Sequence, residues 1–279
     1  DKRAITLSAD AVSKTYGDSD PTLSVSISSG SLGSTTVSDT LSDVTGSLSR
    51  EVGEDVGGYD VLLGSGSKAG NYTITYASDN NALTIDKRNL IVIADDDSKT
   101  YGETITFAGT EFTSNGLQNG ESIGSVSLSS TGSGATSNSG EYGIVASGAS
   151  GGTFSTGNYD ITYTDGTLSV GKAPLTLAAV VSDKEYDGTT SVESYGLGIS
   201  GLVGTETVVV SASSAAFNTP DVLNAHTVTI GGITLSDGTN GGLANNYSIT
   251  GSATVGARIT PATLTYVADS ASREYGEAN

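Results

Sequence analysis

The chain has no cysteine, no methionine and no tryptophan, and a single histidine among 279 residues. The missing cysteines exclude disulfides, thiolate metal sites and c-type haem attachment. A Ser-His-Asp triad would have to use His226, which stands in Ala225-His226-Thr227-Val228-Thr229, where the alternation marks a solvent-facing strand residue. Zinc needs three or four His, Cys or carboxylate ligands, and one His without Cys argues against a zinc enzyme. Cations are scarce too: 12 Lys+Arg stand against 31 Asp+Glu, a formal charge of −19. Scattered cations in such a field cannot neutralise a row of phosphates or hold an anionic bilayer, which argues against nucleic acid and membrane surfaces as partners. Long apolar runs are absent, none nearing the ~20 residues of a membrane-spanning helix. No initiator Met or signal peptide opens the chain, so the sequence reads as a piece of a longer one.

Serine, threonine and glycine are abundant, at 42, 37 and 38 residues. Only 35% of the chain is hydrophobic and 15% charged, a balance that could also describe disorder. Alternating apolar runs such as Ala4-Ile5-Thr6-Leu7 and Asn89-Leu90-Ile91-Val92-Ile93 speak instead for a folded, strand-rich chain.

A repeat organises the sequence. Lys14-Thr15-Tyr16-Gly17-Asp18 returns as Lys99-Thr100-Tyr101-Gly102-Glu103, as Lys184-Glu185-Tyr186-Asp187-Gly188 and as Arg273-Glu274-Tyr275-Gly276-Glu277. A second landmark keeps step: Gly70-Asn71-Tyr72, Gly157-Asn158-Tyr159 and Asn245-Asn246-Tyr247. A softer third sets Asp39-Thr40-Leu41 beside Glu121-Ser122-Ile123 and Glu206-Thr207-Val208. Independent landmarks in one register define modules of about 85 residues, the size of a small domain. The edges follow from Asp1-Lys2-Arg3 matching Asp86-Lys87-Arg88, and give modules at 1–86, 87–171 and 172–262, with 263–279 opening a fourth.

Each module reads as short strands and turns, closing on a strand pair such as Tyr72-Thr73-Ile74-Thr75-Tyr76 and Ala82-Leu83-Thr84-Ile85. The one helical signal is a turn or two starting at Ser38 or Asp39, where Leu41 and Val44 lie three apart behind a capping residue. The expected fold class is mainly β: tandem small immunoglobulin-like β-sandwich modules joined end to end as a rod. The alternative is β-grasp-like modules that use the short helix. No Gly/Ser tether separates the modules, and Pro174 and Pro261 fix φ at two joins, which favours stiff connections.

The Lys-Thr-Tyr-Gly turn, the run from Asp39 to Arg50, Gly53-Glu54-Asp55-Val56-Gly57, the Gly70-Asn71-Tyr72 landmark and the exit at Lys87-Arg88 resemble MBG-type (YGX) repeats. The third module, with Glu185-Tyr186-Asp187-Gly188-Thr189-Thr190, resembles the companion YDG repeat. The second module departs from the pattern, carrying Ser129-Ser130-Thr131-Gly132 and Ser139-Gly140-Glu141-Tyr142 in its middle. Such repeats are similar to stalk segments of large bacterial surface proteins, including filamentous-haemagglutinin-like exported adhesins. The resemblance implies a non-enzymatic stalk or spacer at the extracellular bacterial cell surface, serving adhesion or biofilm formation. Its partners would be neighbouring repeats of the same long chain, with a glycan or surface protein as target through another region. A different class stays open, in which one module itself binds a glycan or protein.

The repeated turn residues are Tyr16, Gly17, Tyr101, Gly102, Tyr186, Asp187, Gly188, Tyr275 and Gly276. Their expected role is structural: the glycine takes a positive φ, and the tyrosine packs its ring over its own module with the hydroxyl in water. No cofactor is expected. Calcium at Asp95-Asp96-Asp97, with Asp10 and Asp269 in matching places, is the one metal candidate, set against a reading as solvated turns. A self-formed Lys-Asn crosslink is a further candidate, because Lys14, Lys99 and Lys184 recur with Asn71, Asn158 and Asn246. Arg273 in the Lys position favours a plain surface cation beside the turn.

Overall fold

The computed structural model describes residues 1–278. Among them the chain is mainly β, with one short α-helix, Leu41–Thr45. It divides into two compact units. The first comprises Asp1–Asp97, Thr106–Thr131 and Tyr142–Leu168; the second comprises Ser98–Ile105, Gly132–Glu141 and the chain from Ser169 onward.

In the first unit, the opening strand Arg3–Ala9 runs antiparallel to Val25–Ser29 on one side and parallel to Tyr72–Tyr76 on the other. A second sheet places Leu83–Asp86 between Val12–Thr15, parallel to it, and Gly57–Tyr59, antiparallel. Alternation in these strands sends Ile5, Leu7 and Tyr72 into one core cluster with Val44 of the helix. Val25, Val61, Ala82 and Leu83 form a second cluster, and Leu41, Leu63 and Tyr76 pack against both. The helix is capped one or two residues later than Ser38 or Asp39, the starts that the sequence signal suggests. Thr40 is its cap: its side chain accepts from Asp43 N–H, and Asp43 accepts in return from Thr40 N–H. Asp39 is thereby freed for another task.

The second repeat opens in the same way. Arg88–Ala94 runs antiparallel to Phe112–Asn115 and parallel to Tyr159–Thr164. Leu90, Val92 and Ala94 point inward, while Ile91 and Ile93 alternate outward. Only Lys87 separates Leu83–Asp86 from Arg88–Ala94, so strand runs into strand across the module edge.

In the second unit, Ala173–Pro174 pairs parallel with Tyr247–Ser248, and Lys184–Glu185 pairs parallel with Ile259–Thr260. Thr227–Gly231 lies between Ser214–Phe217 and Ser252–Gly256, antiparallel to both. Phe217, Ala225, Val228, Ile230, Ile233, Ala257 and Ile259 form the core. His226 is exposed, next to the buried Ala225. Residues 261–278 are exposed throughout and hold no strand.

Candidate functional site

The three landmarks meet at the module joints. Tyr16, at the end of the first repeat's opening strands, is buried, and its hydroxyl donates to Glu121 Oε1 at 2.8 Å. Glu121 belongs to the next repeat, and its Oε2 accepts from the Tyr159 hydroxyl. The two rings stand edge to face, centroids 5.4 Å apart at 77°. Gln118 N–H donates to the Tyr159 hydroxyl at 3.0 Å, which fixes the proton direction: the phenol accepts from backbone and donates to the carboxylate. Beside this clasp, Asn158 accepts from Val56 N–H at 2.9 Å and donates to Asp55 Oδ1 at 2.8 Å. Arg88, the first residue of the second repeat's opening strand, reaches back, its Nε donating to Tyr16 O at 2.6 Å while Nη2 pairs with Asp18.

The second unit repeats the device with other residues. Tyr101 donates to Glu206 Oε1 at 2.6 Å and Tyr247 to Glu206 Oε2 at 2.5 Å, with ring centroids 5.5 Å apart at 82°. Val203 N–H donates to the Tyr247 hydroxyl at 3.0 Å, as Gln118 does to Tyr159. Asn246 accepts from Ser139 N–H at 2.9 Å and donates to Asn138 Oδ1 at 3.0 Å. Each joint therefore holds one carboxylate between two phenols, with an amide side chain stitched to the neighbour's loop.

Tyr16 and Tyr101, 5% and 4% exposed, do not keep their hydroxyls in water, as sequence reasoning expected of the turn tyrosines. Their glycines do more than turn the chain. Gly17 has φ +83° and Gly102 φ +95°, and a Cβ on them would lie 2.5 Å from Gln118 Cγ and from Val203 Cγ2 of the following repeat. Tyr186 is half exposed, and its turn is closed by Gly188 at φ +79°. Tyr275 is fully exposed and Gly276 has φ +99°.

Burial pushes the Tyr101 and Tyr159 phenols up to about 12, reinforced by the hydrogen bonds to Glu206 and Glu121. Tyr16 and Tyr247 are raised for the same two reasons. A phenol whose folded pKa exceeds its unfolded value of about 10 leaves stability intact below pH 10 and removes it as pH climbs through the folded value. The joints are therefore expected to weaken between about pH 10 and 12. Phenolate absorbance should show a late-titrating group of tyrosines; all of them ionising together near 10 would contradict this.

The recurring lysines are buried, which corrects their reading as surface cations. Lys14 is 8% exposed and donates to Asp20 Oδ1 and Glu54 Oε2 at 2.6 Å each. Arg50 joins the same carboxylates, and with Lys14 it holds Asp20 down at about 2. Lys99 donates to the carbonyls of Glu103, at 2.8 Å, and Gly134, and burial pushes it down. Lys184 donates to Asp187 Oδ1 at 2.7 Å and to the Thr189 and Ser191 hydroxyls. These lysines and the joint asparagines face different partners, so the Lys-Asn crosslink has no geometry to support it.

The aspartate run is used for turns. Asp95 N–H donates to Glu111 O at 3.1 Å, and Asp96 Oδ1 accepts from Thr167 N–H at 2.7 Å. Asp10 accepts from the Ser24 and Ser26 hydroxyls at 2.7 and 2.5 Å. Among the described residues no three His, Cys, Asp or Glu side chains are grouped to hold a metal.

Strand pairing that repeats at a fixed period, with the turns of the first two repeats held in the clasp of the repeat that follows, defines a tandem β-repeat protein. The MBG domain (YGX type) family matches residues 5–84 and again 90–169, and the YDG domain family matches residues 171–255. The chain belongs to the MBG (YGX type) family, and its third repeat is a YDG domain. No curated protein matches the chain.

Proposed function

We propose that this chain is a non-enzymatic stalk segment of a bacterial cell-surface adhesin, extracellular in place, that carries a binding region elsewhere in the same long polypeptide away from the cell. The observation that carries this reading is the joint. Two large phenols, a shared carboxylate and a buried amide at each of the two filled joints resist bending where a flexible linker would not, and a spacer needs stiffness there above all. The Ser/Thr/Gly-rich surface and the charge of −19 would keep neighbouring stalks soluble and apart. Exposed large apolar side chains are spread over all three repeats, Val52, Ile93 and Val180 among them. A module specialised for adhesion would gather them on one face, so their scatter favours the spacer over a directly adhesive module.

Small-angle scattering tests the proposal. A stalk of three modules is expected to show a maximum dimension on the order of 100 Å, from the compactness of an 85-residue domain. Glu121→Ala and Glu206→Ala together should leave the modules folded and broaden the distance distribution. A compact particle, or a distribution the variants do not change, would overturn the stalk reading.

A further inference from the structure

The first repeat carries the same clasp, with no turn in it. Tyr72, the counterpart of Tyr159 and Tyr247, accepts from Gly33 N–H at 2.9 Å and donates to Asp39 Oδ2 at 2.7 Å. Gly33 and Asp39 thus stand where Gln118 and Glu121, or Val203 and Glu206, stand in the occupied joints. The second carboxylate oxygen distinguishes them. In the occupied joints it accepts the hydroxyl of a preceding turn tyrosine; here Asp39 Oδ1 accepts from Lys68 Nζ at 2.8 Å. Lys68 has 39% of its side chain exposed and no counterpart, because Ser155 and Leu243 occupy its place in the later repeats. Arg3 takes the place of Arg88. Lacking a turn to grip, it donates to Gly33 O and the Ser31 hydroxyl, both at 2.5 Å. Asn71 takes the place of Asn158 and Asn246, which are 3% and 1% exposed; it is itself exposed, and its side-chain amide has no partner among the described residues.

We propose that the face formed by Arg3, Asp39, Asn71 and Tyr72 is a docking site for another MBG repeat joined directly in front of Asp1-Lys2-Arg3. The occupant is fixed by the chemistry of the two filled joints, with the arginine grip taken from the first of them, where Arg88 stands; the second has Ala173 there. It must bring a Tyr-Gly-acid turn, whose phenol replaces the Lys68 ammonium on Asp39, whose carbonyl and acid take Arg3, and whose neighbouring loop presents a backbone N–H to Asn71. Lys68 is part exposed and also reaches Asp43 Oδ2 at 3.2 Å, so it keeps a carboxylate partner when it gives up Asp39 to an incoming phenol. Lys68 is a placeholder that keeps the buried Asp39 carboxylate paired until the turn arrives. This rests on the joint geometry of the proposed stalk, and the experiment separates the two.

The test places a second copy of residues 1–85 directly ahead of the full chain, which recreates the Ile85-Asp86-Lys87-Arg88 passage at the new edge. Hydrogen exchange at Gly33 and at residues 69–72 is then followed. Docking is expected to slow it by on the order of tenfold relative to the parent chain. Changing the turn tyrosine of the added copy to Phe, or Asp39→Asn, should return it towards the parent rate. Unchanged exchange, or slowing that survives both changes, overturns the proposal. Tyr16→Phe in the parent chain, read at Asn158 and Tyr159, reports on the filled joint. If that joint responds and the new one does not, the docking face falls and the stalk reading stands.

Discussion

Replacing Glu206 by alanine is expected to destabilise the second unit by about 2–3 kcal/mol, read from urea unfolding. The carboxylate is half buried and accepts two phenols, and hydrogen bonds to a charged acceptor contribute about 1.5–3 kcal/mol each. The full sum is not expected, because the Tyr247 hydroxyl keeps the Val203 N–H and water can enter beside the freed Tyr101 hydroxyl. The edge-to-face ring pair remains and holds part of the joint, about 0.5–1.5 kcal/mol. Glu206→Gln retains an acceptor and should lose about half as much. The decisive comparison is with Tyr101→Phe: the two changes share one bond, so the double variant must fall short of their sum. Additive losses, or a Glu206→Ala loss under about 0.5 kcal/mol, would remove the clasp from the joint's energetics.

How much of this was legible in the sequence depends on the distance between partners. Strand content, the repeat period and the short helix are local signals, and the structure carries all three. The helix starts one or two residues beyond the expected Ser38 or Asp39 because Ser38, Asp39 and Thr40 are all capable caps, and Asp39 is taken by its tertiary partner, the Tyr72 hydroxyl. The joint was visible only in pieces. The turn tyrosine, the acid and the Asn-Tyr landmark each repeat in register, yet Tyr16 and Glu121 lie 105 residues apart, as do Tyr101 and Glu206. A separation longer than the period means that contact across an edge looks like repetition within a module. The equal offset was the available clue. The lysines were misjudged for a related reason: Arg273 in the fourth copy suggested a merely cationic position, whereas Lys14, Lys99 and Lys184 are each buried against a different set of acceptors. No sequence pattern announces such unlike partners.

Gly102→Ala should cost about 2–4 kcal/mol, and Gly188→Ala only about 1–2, although both are the glycine of a tyrosine turn. At φ +95° and +79° the two share the backbone penalty of an L residue in the left-handed region, on the order of 1–2 kcal/mol. They differ in what the new methyl meets. At Gly188 the nearest atom is the Tyr186 hydroxyl at 3.9 Å, an ordinary contact. At Gly102 the methyl would lie 2.5 Å from Val203 Cγ2, and Val203 is the residue whose N–H holds the Tyr247 hydroxyl in the clasp. Moving Val203 therefore disturbs the phenol that Glu206 accepts, so the cost spreads from packing into the hydrogen-bonded joint. Urea unfolding of the two variants side by side isolates the second contribution, since the backbone penalty largely cancels in their difference. Equal losses would mean that the glycine serves the turn alone, and that the following repeat does not require the close approach which the filled joints display.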